Sequence, residues 1–205
     1  MPRSLRRPLV LLFLVLALGA FAPRAARALP RPDLAFTAGT TLAVTGAPDQ
    51  GGLALAISPL WPVADRLRFG FTLFADDMGT QLSDLRDPNN GVHLGTVPSA
   101  HRWAYGGAWR ADATVLTHRQ WNADAMGEWG YWRLQDDLRG TVTGANSALG
   151  FTLGGTVRHA LTGPQDVGLA FRYHRVFTHR NGPGNLMGRY VSLALEWRWA
   201  GTIRP

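Results

Sequence analysis

Residues 190–199 read YVSLALEWRW: Val191, Leu193, Leu195, Trp197 and Trp199 fall on one face, and Tyr190, Ser192, Ala194, Glu196 and Arg198 on the other. An unbroken period of two over that length is the pattern of a β-strand with two unlike faces. The pattern recurs along the chain. In 34–45, Leu34, Phe36, Ala38, Thr40, Leu42 and Val44 oppose Ala35, Thr37, Gly39, Thr41, Ala43 and Thr45. In 52–58, Leu53, Leu55 and Ile57 alternate with small residues, and the two prolines of PLWPVAD (59–65) predict a break. In 66–75, Leu67, Phe69, Phe71 and Leu73 oppose Arg66, Arg68, Gly70 and Thr72. In 103–116, Trp103, Tyr105, Trp109, Ala111, Ala113 and Val115 oppose Gly106, Arg110, Asp112 and Thr114. The stretches 147–159 and 167–178 alternate likewise, placing Arg158, Arg172 and His174 on the less apolar face. A further strand at about 125–135 has no legible facing, because Trp129, Tyr131, Trp132 and Leu134 do not share a side.

These stretches predict eight strands. Their connections alternate: short Pro- or Gly-rich links follow the second and sixth strands, whereas 76–101, 136–146 and 179–187 read as longer polar loops. Short turns at one end and long loops at the other are the signature of a transmembrane barrel. The less apolar face decides the surrounding medium. A soluble barrel carries many charges on its outer face, but here that face is Gly, Ala, Ser and Thr with scattered charges, and none at all in 34–45. Small side chains suit the crowded interior of a narrow barrel. The Leu, Val, Phe and Trp face then meets hydrocarbon, and closure satisfies every backbone amide that lipid leaves unpaired. The expected fold is therefore all-β: an eight-stranded antiparallel up-and-down transmembrane β-barrel with both termini on the periplasmic side. Val191, Leu193, Leu195 and Trp197 are expected to face lipid. Trp61, Trp103, Trp121, Trp197 and Trp199 are placed near strand ends, as an interfacial girdle.

The N-terminus adds export. Arg3, Arg6 and Arg7 precede the apolar run 9–22, and Ala26-Arg27-Ala28 fits the small-x-small pattern of a signal peptidase site. The run is shorter than the roughly 20 residues a membrane helix needs. Residues 1–28 are thus expected to be a cleavable signal peptide and 29–205 the barrel. Cleavage changes the charge argument. All 21 basic residues are Arg and five lie within 1–28, leaving 16 against 14 acidic residues. The formal net charge of +7 therefore gives no support for nucleic-acid binding. With no Cys, disulfides and thiolate metal sites are excluded.

The export segment, the eight strands and the closing GRYVSLALEWRW (188–199) resemble the small outer-membrane β-barrel proteins of Gram-negative bacteria. The resemblance covers essentially all of 29–205. Gly188, Val191 and Leu193 are similar to the family's assembly signal, although Ala200–Pro205 follow where most members end on an aromatic residue. It implies outer-membrane lipid and lipopolysaccharide as surroundings, and the barrel-assembly machinery as a partner during insertion.

Candidate chemistry is sparse. FRYHRVFTHRNGPGN (171–185) resembles the lipid A deacylase family, in which a His-x-Ser pair supplies base and nucleophile. Two residues beyond His174 stands Val176, and two beyond His179 stands Asn181, so the hydroxyl nucleophile is missing at that spacing. His174 is the one catalytic candidate. The predicted inward charges form a more economical set: Arg68, Arg110, Asp112, Arg158, Arg172, His174, Glu196 and Arg198. In a bore just wide enough to be filled by side chains, such charges pair, because an unpaired buried charge is costly. Asp76, Asp77, Asp84, Asp87, Asn89 and Asn90 have oxygen ligands but not the spacing of a calcium loop, so neither metal nor cofactor is expected. The expected role is structural or adhesive, with loops displayed from a barrel plugged by paired charges. A lipid-A-modifying enzyme, a small-solute channel and a soluble lipocalin-like barrel are the alternatives; the extracellular ligand is unknown.

Overall fold

The computed structural model describes residues 31–43, 52–87, 91–138, 141–177 and 189–201. The segment 1–28 and the predicted loop 179–187 lie outside the described residues. The alternating stretches become eight strands: β1 (Asp33–Ala43), β2 (Gly52–Ala64), β3 (Leu67–Arg86), β4 (His93–His118), β5 (Trp121–Leu138), β6 (Thr141–Ala160), β7 (Gln165–Val176) and β8 (Arg189–Trp199). Each pairs antiparallel with its neighbour in sequence, and β1 also pairs with β8, closing the sheet into a barrel. The closing seam runs from Leu34↔Trp199 to Ala43↔Tyr190, so the start of β1 and the end of β8 lie together. At that seam a Cβ on Gly39 would collide with the backbone of Leu193 and Ala194, so only glycine fits.

The period of two becomes an inside and an outside. On β8, Leu193, Leu195 and Trp197 are exposed outward and Val191 is half-buried, whereas Tyr190, Ser192, Ala194, Glu196 and Arg198 are buried inward. Leu195 is 60% exposed and its neighbour Glu196 0%. The outward positions of the other strands are likewise large and apolar, including Phe36, Leu55, Leu73, Trp109, Leu153 and Leu169. A sheet with its large apolar side chains outside and its charges inside is the reverse of a water-soluble protein.

Three sequence expectations are corrected. The prolines of 59–65 do not end the second strand, which continues through Pro59 and Pro62 to Ala64. A register shift between Pro62 and Ala64 accommodates the missing donor. The polar stretches 76–101 and 136–146 are not long loops. β3 runs on to Arg86 and β4 begins at His93, while β5 reaches Leu138 and β6 begins at Thr141. Backbone ladders need no apolar face, so strands continue where the sequence turns polar; shifts at Asp77/Thr80, Gln81/Leu82 and Leu85/Arg86 interrupt the register without ending it. Trp103 consequently lies well inside β4 rather than near its end.

The strand without legible facing is β5. Asp124, Met126, Glu128, Trp132 and Leu134 are buried, and Trp129 and Tyr131 are exposed outward. Both faces are apolar near its upper end because the lumen there holds its own core: Phe74, Met78, Ala104, Ala108, Trp132, Leu134, Val176 and Tyr190 pack together inside the barrel.

Candidate functional site

The lumen has two storeys. The lower one, toward the end where β1 starts and β8 finishes, is built of charges. Arg110 sits at its centre and donates from Nε and Nη2 to both carboxylate oxygens of Asp112, at 2.7 and 2.9 Å. The same Nη2 lies 2.9 Å from Glu196 Oε2, and Nη1 lies 3.2 Å from Ser58 Oγ. Arg198 donates to Asp112 at 2.6 Å and to Glu196 at 2.8 Å, and approaches Asp124 at 3.6 Å. Arg172 donates to Glu196 at 3.3 Å and to Thr37 at 2.9 Å, with Glu128 at 4.0 Å. Arg158 is held between Asp124 and Asp166. Arg68 pairs with Asp33 at 2.7 Å. The hydroxyls of Ser58 and Thr72 are 2.8 Å apart, and Thr72 donates to Glu128 at 2.9 Å.

Every one of the eight strands thus sends a side chain into this network. β4 and β8 stand opposite each other in the ring, so Arg110–Glu196 and Arg198–Asp112 cross the bore. Arg110, Asp112, Arg158, Arg172, Glu196 and Arg198 are all buried. Bidentate and charge-assisted contacts of this kind are what allow charges to leave water; among the described residues Arg172 Nε and Arg198 Nε and Nη1 are buried with no hydrogen-bond partner.

The upper storey is aromatic. Phe74 and Trp132 pack with ring centroids 5.0 Å apart, and Trp132 Nε1 donates to the Tyr190 hydroxyl at 3.3 Å. Tyr190 in turn donates to Asp76 at 2.7 Å and stacks on His174 at 4.2 Å. His174 has a hydroxyl on each ring nitrogen, Thr152 at 2.9 Å from Nδ1 and Ser192 at 3.1 Å from Nε2.

The eight predicted inward residues therefore fall into two groups. Arg68, Arg110, Asp112, Arg158, Arg172, Glu196 and Arg198 line the charged storey, while His174 stands above them against Tyr190. The hydroxyl missing from the His-x-Ser spacing comes from the neighbouring strand, as Ser192 on β8. Both partners point inward and are buried, His174 at 4% and Ser192 at 3% exposure.

The sequence reading missed Asp33, Asp76, Asp124, Glu128 and Asp166. Asp124 and Glu128 share a parity that the sequence of β5 did not reveal. Asp166 stood in an apparent turn, TGPQD, and Asp76 at the start of an apparent loop. Their usable signal was number: the inward arginines outnumbered the inward acids, and a buried excess charge demands partners.

No protein-family model and no curated protein sequence matches the chain. Among solved structures it is similar to Neisserial surface protein A, with 16% identity, a TM-score of 0.58, and coverage of 82% of this chain and 94% of that one. It is also similar to a major outer membrane protein from Thermus thermophilus, at 13% identity and a TM-score of 0.56, covering 82% and 98% of the two chains. Strand number, pairing order and closure agree with these similarities: the chain has the fold of the small eight-stranded outer-membrane β-barrels.

Proposed function

We propose that the chain is an integral outer-membrane barrel whose bore is sealed by paired charges and which acts as an anchor for a projecting wall of sheet. The observation that carries the reading is the pair of contacts from β4 to β8, Arg110–Glu196 and Arg198–Asp112, in a network to which all eight strands contribute. A conduit needs a continuous gap, and here guanidinium and carboxylate groups meet at hydrogen-bond distance across the bore. The aromatic storey lies directly above. Location in the outer membrane is supported by the apolar exterior and by the Thermus neighbour, itself a major outer membrane protein. Export by residues 1–28 and assembly through Gly188, Val191 and Leu193 belong to the same proposal.

The wall is the display element. β3, β4, β5 and β6 are 20, 26, 18 and 20 residues long, whereas β1, β2, β7 and β8 are 11, 13, 12 and 11. A spanning strand needs about 9–11 residues, so the long strands rise beyond the bilayer on one side of the barrel. A structural or adhesive role rests on this wall.

Planar-bilayer recording tests the seal. Purified protein inserted into the bilayer is expected to give no steady ohmic conductance at moderate voltage. A stable open level, abolished by an impermeant blocker, would replace the anchor with a channel.

A further inference from the structure

The outer wall carries a feature that neither anchoring nor a sealed lumen uses. The register defines a continuous rung of outward side chains from β3 to β8: Phe71↔Trp109, Trp109↔Trp129, Trp129↔Phe151, Phe151↔Arg175 and Arg175↔Arg189. Aromatic side chains occupy four strands, and the rung then ends in two arginines directly opposite each other on β7 and β8. Both arginines are exposed. Like charges facing across a ladder destabilise it, and no carboxylate pairs with either among the described residues. No Asp or Glu occurs in the sequence between Asp166 and Glu196. Phe151, the register partner of Arg175 on β6, is apolar, as is Leu42 on β1, opposite Val191.

Height fixes what meets this pair. Below Arg189 on β8 stand the outward residues Val191, Leu193, Leu195, Trp197 and Trp199. At about 3.3 Å per residue and a tilt of roughly 40°, that run covers about 20 Å of the ~25 Å apolar band of such a barrel. On β8 the next outward position above that run is Arg189, at the level of lipid phosphates; its register partner on β7 is Arg175, beyond which Phe177 is also exposed outward.

A groove adjoins it. Gly107 faces outward without a side chain and forms the floor of an apolar groove of about 420 Å³, walled by Trp109, Trp129, Tyr131 and Leu149. Trp129 also packs against Phe177, at 6.3 Å between centroids, and Arg175 lies over the Phe177 ring at 5.6 Å. The groove therefore leads through one aromatic ring to the cationic pair.

We infer that Arg175 and Arg189 bind the phosphate of an acylated membrane lipid of the lipopolysaccharide type, with an acyl chain lying in the groove over Gly107. The anion removes the repulsion between the two guanidinium groups, and each presents the planar donor fork that suits phosphate oxygens. This inference rests on the barrel spanning a membrane.

The test uses the refolded full chain in phosphatidylcholine vesicles containing lipopolysaccharide that bears a fluorescent acceptor, with energy transfer from the barrel's tryptophans as the readout. Each arginine near an anionic surface contributes roughly a factor of five in affinity, so Arg175→Gln with Arg189→Gln is expected to weaken the apparent affinity about thirtyfold. Gly107→Leu, which fills the groove and leaves the charges intact, is expected to weaken it as well. Equal transfer in wild type and the double variant, with both inserted, overturns the inference and leaves the membrane reading standing. Failure of the wild type to insert even into plain phosphatidylcholine vesicles overturns both. Displacement by inorganic phosphate together with no effect of Gly107→Leu identifies a free-anion site and overturns the lipid assignment.

Discussion

At the scale of single residues, what decides the molecule is where charge is placed. Glu196 is fully buried and accepts from three arginines, Arg110, Arg172 and Arg198, which come from three strands. Removing it leaves three guanidinium groups around one vacated position, and breaking a buried pair costs about 3–5 kcal/mol. Glu196→Ala is accordingly expected to lower stability by about that amount in urea unfolding from vesicles, whereas Thr117→Ala, which removes an exposed hydroxyl that donates to the Asn122 amide oxygen, should shift it little. An equal effect of the two substitutions would mean that the lumen is hydrated and its charges need no partners. The arginines of this network were legible from alternation alone, because Arg110, Arg158, Arg172 and Arg198 hold the less apolar parity of regularly alternating strands. Their acids were less so. Asp33 and Asp166 stand at strand starts where turn residues also occur, and a sequence does not say which of the two roles an aspartate plays.

At the scale of elements, β8 and β5 mark the limits of the pattern. β8 alternates without exception, and its inward and outward faces are where the period of two puts them. β5 was unreadable because it passes from the charged storey to the aromatic one. There Trp132 and Leu134 point into the lumen while Trp129 and Tyr131 point out, so no contrast of polarity separates the faces. The long strands were misread for the opposite reason: the sequence of 76–101 and 136–146 is polar and does not alternate, which resembles a loop, although the backbone pairing of β3 with β4 and β5 with β6 continues. One pair of variants on β8 tests the facing. Leu195→Arg is expected to cost about 2–4 kcal/mol, the range for an arginine at the bilayer midplane, and Ala194→Ser, on the lumen side, much less. Chemical denaturation of both proteins from the same vesicles measures the difference, and the assignment of the faces does not survive if they prove equal.

At the scale of the whole molecule, the barrel is an inverted protein: an interior lined by ion pairs and an aromatic layer, and an exterior of large apolar side chains. Its tryptophans report on this arrangement together. Trp132 is fully buried inside, whereas Trp103, Trp109, Trp121, Trp129, Trp197 and Trp199 are exposed on the outside, and Trp61 stacks there on Phe71. Quenching of tryptophan emission by lipids brominated along their acyl chains is therefore the most direct measurement of the medium around the barrel. Most of the emission should be lost in brominated vesicles while iodide in the surrounding water quenches little, the residual signal coming from Trp132. Emission that ignores the brominated chains but is quenched freely by iodide would put water, not hydrocarbon, against the outer wall.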